Sequence, residues 1–435
     1  MKKIVILGSS VAAVKAAEEI RKMDAESEIA LFPADGEFPG NPQNYDTFIV
    51  GENSLNQTLL RPKDFYEKNR IHVILGKTIA RINLKRNKIT LEDKNQIDFD
   101  ILVITQPPAK FPDIKGANKT GLYNCRHFKD IQQINKSLAF IETIVIQTNS
   151  FNGVKMAVAL AKREKDVTVV SSQPYFLSHL VSKEVSEKMT AALEQKGVHI
   201  FYNNTITELL GDGEAKAVRL TSGKVLASDM TIFEDLREDW RIFAESELNI
   251  DKQILVDEFF QSNLPQAFAV DTAAQGRAAG RGIDSVPANT SLEFWASQIA
   301  AKIGGQELNL QPLFSTAALE LDNFNIIILG ERGSETQEIR KIEGETFAYK
   351  KIFLADGVVT GAVLVNAAPE KEKMVRLITE KLSVKGYEDY ILSDTGTPDE
   401  VVQNIKSGIN PLKTAEPVLA SAPAEAQETT HQAPS

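Results

Sequence analysis

Two segments of this chain set a hydroxyl-bearing turn between an apolar strand and a helix of small residues. In the first, Ile4-Val5-Ile6-Leu7 leads into Gly8-Ser9-Ser10 and then Val11-Ala12-Ala13-Val14-Lys15-Ala16-Ala17. In the second, Ile144-Val145-Ile146-Gln147 leads into Thr148-Asn149-Ser150 and then Phe151-Asn152-Gly153-Val154-Lys155-Met156-Ala157. A constant offset of 140 lays Ser10 on Ser150, Val14 on Val154 and Lys15 on Lys155. The chemistry open to such a turn is anion binding, because unpaired backbone N–H groups and the positive end of the helix dipole converge there. A strand, a tight turn and an amphipathic helix are the opening of a dinucleotide-binding βαβ unit. Such units use three glycines: one for the turn, one for backbone approach to phosphate and one for helix–strand packing. Those positions are Gly8, Ser10 and Ala13 in the first unit, and Thr148, Ser150 and Gly153 in the second. Two units predict two dinucleotides. The lost glycines set against this a second prediction, a fold that outlasted its cofactors.

Other chemistries find less support. The five histidines are scattered without ligand spacing, which argues against a metal site. The single cysteine, Cys125, rules out a disulfide framework or a CxxC pair and reads as a buried, inert thiol. A net charge of −10, with no basic stripe bearing aromatics, argues against nucleic acid. No apolar run has the length of a membrane span. The start, Met1-Lys2-Lys3 before an apolar run, reads as a first strand rather than a signal peptide, because Gly8, Ser9 and Ser10 break the run and charged helix residues follow. A cytoplasmic protein is expected.

The elements that would position the turns can be placed from periodicity. Glu28 to Phe32 reads as a second strand, Pro33 to Asn44 as loop, and Pro62 to Arg70 as helix. Ile71 to Leu75 and Ile101 to Thr105 are strands. Val154 to Lys162 and Val185 to Lys196 are helices flanking the strand Val167 to Val170. From about Leu313 the chain changes to longer strands, Phe324 to Leu329, Ala348 to Leu354 and Val358 to Val365. Asp356-Gly357 between the last two signals a type I′ hairpin. Glu370 to Leu382 is a helix, and beyond Pro411 the Ala, Pro, Glu and Gln composition predicts disorder.

This order of elements resembles the FAD-dependent pyridine nucleotide-disulfide oxidoreductase family, in its nitrite reductase, rubredoxin reductase and ferredoxin reductase branch. Beyond the two turns, the resemblance is carried by Ala16-Ala17-Glu18-Glu19-Ile20-Arg21-Lys22, Arg61-Pro62-Lys63-Asp64-Phe65-Tyr66, Gly76-Lys77-Thr78, Ile114-Lys115-Gly116-Ala117, and Ala355-Asp356-Gly357 with Gly361-Ala362-Val363-Leu364-Val365. It implies an α/β fold with two Rossmann-like FAD- and NAD(P)-binding domains and a C-terminal α+β interface domain. The implied boundaries are 1–113 with 250–310 for the FAD-type domain, 114–249 for the NAD(P)-type domain, 311–395 for the interface domain and 411–435 for the tail.

The resemblance also assigns residues. Gly8, Ser10 and Ala13 fall at the FAD pyrophosphate, Asp35 at the adenosine ribose, Thr105 on the strand that ends Ala-Thr-Gly in the family, and Asp271 at the acid that meets the ribitol. In the nicotinamide unit only Gly153 of the three glycines remains. Ser171 stands where an acid would grip the ribose, and Lys155 replaces an acid near the flavin. The loop Pro39 to Asn44 carries no cysteine for disulfide chemistry. The acidic group Glu234, Asp235, Glu238 and Asp239 would repel phosphate if it faced the cleft, and would be a charged loop if it faced solvent. His127 reads as a loop or domain-boundary residue. Trp240 and Trp295 are candidates to stack on a flavin, with Trp295 reading rather as packing its helix against the core. No residue is assigned a catalytic role. The implied activity is NAD(P)H-to-FAD hydride transfer and electron passage to a small redox protein, with an impaired nicotinamide site. The alternative is a non-catalytic scaffold or binding subunit. One helix can cover only one face of the interface domain's sheet. The other face lies either on this chain's own first domain, which permits a monomer, or at a two-fold interface. A homodimer or a related partner subunit is the expectation.

Overall fold

The computed structural model describes residues 1–178, 180–234, 236–257, 259–276, 291–306, 316–321, 324–330, 337–343 and 347–414. The loop through Gly282, Asp235 and the tail from 415 lie outside the described residues.

The first domain begins with β1 (Lys3–Leu7), α1 (Val11–Met23) and β2 (Glu28–Phe32). Two short helices follow, α2 (Tyr45–Val50) and α3 (Lys63–Lys68), and then β3 (Ile71–Val73). An antiparallel sheet of β4 (Ile79–Asn83), β5 (Lys88–Leu91) and β6 (Gln96–Asp98) precedes β7 (Ile101–Ile104) and β8 (Ala109–Lys110). Ile4, Val5, Ile6 and Leu7 are all buried, which is why β1 has no polar alternation: helices or loops cover both faces of a parallel strand.

The second domain repeats this plan. It comprises β9 (Leu122–Asn124), α4 (Phe128–Ser137), β10 (Thr143–Gln147), α5 (Phe151–Lys162), β11 (Asp166–Val170), α6 (Lys183–Glu194) and β12 (Val198–Phe201). An antiparallel sheet of β13 (Ile206–Leu210), β14 (Ala217–Leu220) and β15 (Val225–Ala227) leads to β16 (Met230–Phe233). β17 (Arg237–Glu238) pairs with β8, and β18 (Ile254–Val256) returns the chain to the first domain. β19 (Ala267–Ala269), β20 (Ala274–Gly276) and α7 (Ser291–Ile303) complete it.

The two parallel sheets run β19-β7-β1-β2-β3 and β12-β11-β10-β16-β9. β1 lies between β2 and β7, as β10 lies between β11 and β16. Ala13, Ala16 and Ala17 give α1 a flat face, and α7 packs on it through Trp295, Ala296, Ile299 and Ala300. Trp295 is a core residue, with its ring 5.7 Å from Phe260.

The C-terminal domain is a sheet of β21 (Thr316–Leu321), β22 (Phe324–Gly330), β23 (Gln337–Glu343), β24 (Ala348–Ala355) and β25 (Val358–Val365), in the order β21-β22-β25-β24-β23. Asp356 and Gly357 have φ of 52° and 78°, the two positive values a type I′ turn needs. One face carries Leu329, Ile352, Ala362 and Leu364 against α8 (Lys371–Glu380), α9 (Glu388–Leu392) and α10 (Pro398–Lys406). The other carries Ile326, Tyr349, Phe353, Val363 and Val365 in one core with α2, α4, α5 and α6. Among the described residues, both faces of the sheet are therefore covered within the chain. The helical region extends past 395 to α11 (Pro411–Thr414), so ordered chain includes the first residues of the expected tail. Among the described residues no helix is long and apolar enough to cross a membrane.

Candidate functional site

Both turns sit at the carboxyl ends of their parallel strands, the edge at which open α/β sheets bind ligands. At the first, Gly8 has φ of +133°, and a Cβ there would overlap Thr105 Oγ1 and lie 3.0 Å from the Gln106 amide nitrogen. Ser10 is the N-cap residue of α1, yet its side chain makes no capping bond. It donates instead to Thr105 Oγ1 at 3.4 Å, while Thr105 Oγ1 donates to the Leu7 carbonyl at 3.0 Å. Asp271, at φ +57°, lies beside Ser10. Burial raises the Asp271 carboxyl above its usual range, against the neighbouring Ser10 hydroxyl and the charge of Arg126. Thr272 Oγ1 is buried with no hydrogen-bond partner. Gly8, Ser10, Thr105 and Asp271 thus come together at this turn, with Ala13 buried in the first turn of α1.

Asp35 sits beyond β2 and reaches toward the second domain. Its Oδ1 accepts from the Glu37 amide at 3.3 Å and its Oδ2 from the Phe128 amide at 3.1 Å, at the start of α4. Burial raises its pKa, opposed by these backbone bonds. The loop at Gly40 closes on aromatic rings: a Cβ there would lie 2.6 Å from Tyr45 Oη and 2.8 Å from Phe128 Cγ. Tyr45 and Phe128 stack at 5.9 Å, with Cys125 buried in the same core.

The raised carboxyls of Asp35 and Asp271 fix a sign for the pH dependence. A carboxyl raised in the folded state favours folding below its unfolded value, near 3.8, and loses that contribution as pH rises through the folded value. Asp271→Asn is therefore expected to flatten this part of the stability profile. Thermal midpoints from about pH 7 down to about pH 4 check it. A steeper profile in the variant would contradict the burial argument.

The second turn is built differently. Thr148 and Ser150 both donate their hydroxyls to the Glu234 carboxylate, Thr148 to Oε2 and Ser150 to Oε1. Ser150 Oγ also accepts from the Asn152 and Gly153 amides at 3.2 and 3.5 Å, so α5 is capped by its own chain. Ser171 Oγ donates to Asn149 Oδ1 at 2.8 Å and Asn149 Nδ2 donates to Ser172 Oγ at 3.1 Å, tying the turn to the end of β11. Gly153 does not merely serve helix–strand packing, because a Cβ there would overlap Thr148 and lie 2.7 Å from Glu234 Oε2. Sequence reasoning left the facing of Glu234 open. It faces the turn and is 8% exposed, whereas Asp239 pairs with Arg241. The other candidates are elsewhere. His127 begins α4 beside Asn124, and Trp240 packs on Phe243. Lys155 lines a 350 Å³ cavity between α2, α5 and β21.

A family model described as pyridine nucleotide-disulphide oxidoreductase matches residues 2–291. The chain belongs to this family. Its similarity to nitrite reductase [NAD(P)H] of Bacillus subtilis is 22% identity over 390 residues, covering 88% of this chain and 48% of that protein. An NADH oxidase of Methanocaldococcus jannaschii is 25% identical over 407 residues, 85% of this chain and 89% of that one. The chain spans about half the length of the nitrite reductase and of the assimilatory nitrate reductase electron transfer subunit of Bacillus subtilis, 48% in each case. Among solved structures, the covalent putidaredoxin reductase–putidaredoxin complex matches with TM-score 0.82 at 19% identity, over 93% of this chain and 99% of that one. The fold of this oxidoreductase-family member is thus two Rossmann-like domains followed by an α+β domain.

Proposed function

We propose that the protein holds FAD at the first turn and passes electrons through it to or from a small redox protein, without taking NAD(P)H at the second turn in the usual mode. One contrast carries this reading: α1 leaves its N-terminus uncapped beside a buried acid and an orphaned hydroxyl, while α5 is closed by Ser150 and Glu234. The first set fits FAD. Gly8, Ser10 and the N–H groups opening α1 would hold the pyrophosphate, with Ala13 packing behind them. Asp271 and Thr272 would meet the ribitol, Asp35 the adenosine ribose, and Thr105 would line the cleft. The flavin supplies the redox chemistry, and the protein binds and orients it. The second set does not fit a dinucleotide phosphate, because the hydroxyls that would meet it are spent on a carboxylate of the same chain. Relatives such as rhodocoxin reductase of Rhodococcus erythropolis support a protein partner of the same kind for this chain.

Protein purified under mild conditions is expected to be yellow and to release FAD on denaturation. A colourless protein whose melting temperature does not rise with added FAD overturns the flavin reading. That outcome selects the second reading, a non-catalytic binding subunit, which Asp35 favours because both its carboxylate oxygens already accept backbone N–H groups.

A further inference from the structure

We infer that Glu234 is the resident occupant of the second dinucleotide turn: its carboxylate sits at the anion position opening α5 and sets the turn against nucleotide phosphate. The inference deepens the proposed closure of that turn and stands apart from the flavin reading. Glu234 directly follows β16, and its amide donates to the Gln147 carbonyl at 3.1 Å. Since Gln147 pairs with Phe233, Glu234 is level with Thr148, which follows β10. In the first domain Leu7 pairs with Ile104, so the matched position is Thr105 and the matched turn residue is Gly8. The two units therefore carry Gly8 against Thr105 in one, and Thr148 against Glu234 in the other. At this matched strand-end position only the second unit carries a carboxyl group.

Three features fit the carboxylate to that place. Each oxygen takes a hydroxyl proton, one from Thr148 and one from Ser150. The missing side chain of Gly153 makes room for Oε2 over the first turn of α5. The positive end of the α5 dipole favours an anion there. A pyrophosphate entering the turn would meet like charge and would have to break both bonds, a strong selection against the ligand.

The test is NADH binding to the full chain by titration calorimetry, for wild type, Glu234→Gln and Glu234→Ala. Glu234→Gln keeps the shape and removes the charge, and Glu234→Ala removes both. Wild type is expected to show no saturable binding below millimolar NADH, and at least one variant to bind about tenfold tighter or more. Micromolar binding by wild type, or no gain in a variant whose far-UV circular dichroism is unchanged, overturns the inference. If neither variant folds, wild type alone decides. Millimolar NADH is expected to leave hydrogen exchange at the Asn152 and Gly153 amides unchanged, and protection there counts against the inference. FAD released by the same preparations reports on the first turn, so loss of the flavin reading and loss of this one are told apart.

Discussion

Replacing Glu370 by Ala is expected to destabilise the C-terminal domain by about 3–5 kcal/mol, the cost of stripping the partner from a buried charge. Lys350 and Lys373 have side chains only 3% exposed, and Glu370 at 13% is the acid they share. Lys350 Nζ lies 3.4 Å from Glu370 Oε2 and also pairs with Asp394 at the rim. Lys373 Nζ pairs with Glu370 and donates to the Ser393 carbonyl at 2.7 Å. Burial lowers the Lys373 pKa, and Glu370 is the main force raising it. Without Glu370 it falls further. Between that lowered value and the unfolded value, near 10.5, the unfolded chain binds the extra proton, so stability rises with pH. The deficit of Glu370→Ala should thus be largest near neutrality and shrink in alkali. Asp394 is 70% exposed, so Asp394→Asn should cost under about 1 kcal/mol. In a chain of several domains the check is native-state hydrogen exchange of the α8 and β24 amides. Equal losses in the two variants would contradict the shared-acid account.

What the sequence discloses divides by the range of the interaction. The twin units are legible because a buried parallel strand and an amphipathic helix each leave a local pattern, and the 140-residue offset makes one the control for the other. The Asp356-Gly357 hairpin is legible because its turn demands two residues tolerant of positive φ. Glu234 is not, since its partners lie 84 and 86 residues away. Only the crossover to β16 brings them together, and an acidic cluster has no periodicity to show which member turns inward. The same holds for Asp35, whose amide donor at Phe128 is 93 residues distant. The cover of the C-terminal sheet by the second domain is likewise a matter of docking, not of any local signal. One further signal is local. Thr397-Pro398-Asp399-Glu400 is a capping box with proline opening the helix, and it marks α10 beyond the boundary at 395.

Gly153→Ala is expected to cost about 1–3 kcal/mol, as overpacking in a close-packed interior does. The second turn has exchanged the side chains of its first and third positions relative to the first turn. There, Gly8 has no Cβ and Ala13 has one. Here, Thr148 carries the side chain and Gly153 has none. The exchange is physical, because a Cβ on Gly153 would run into Thr148 before reaching Glu234. Alanine is otherwise the better residue in a helix, by roughly 1 kcal/mol. A net loss on Gly153→Ala therefore understates the clash by about that amount. Adding Thr148→Gly removes the side chain in the way and restores the Gly–Ser–Ala pattern of the first turn. The pair should recover most of the loss, with a coupling of about 0.5–3 kcal/mol in a double-mutant cycle. Thr148→Gly also takes one of the two hydroxyls from Glu234, so the double variant should bind NADH no worse than wild type. Hydrogen exchange across α5 and β10 reads the stability, and calorimetry the affinity. Additive losses in the cycle would mean that Gly153 is small for a reason other than Thr148, and would detach the third position of this turn from the first.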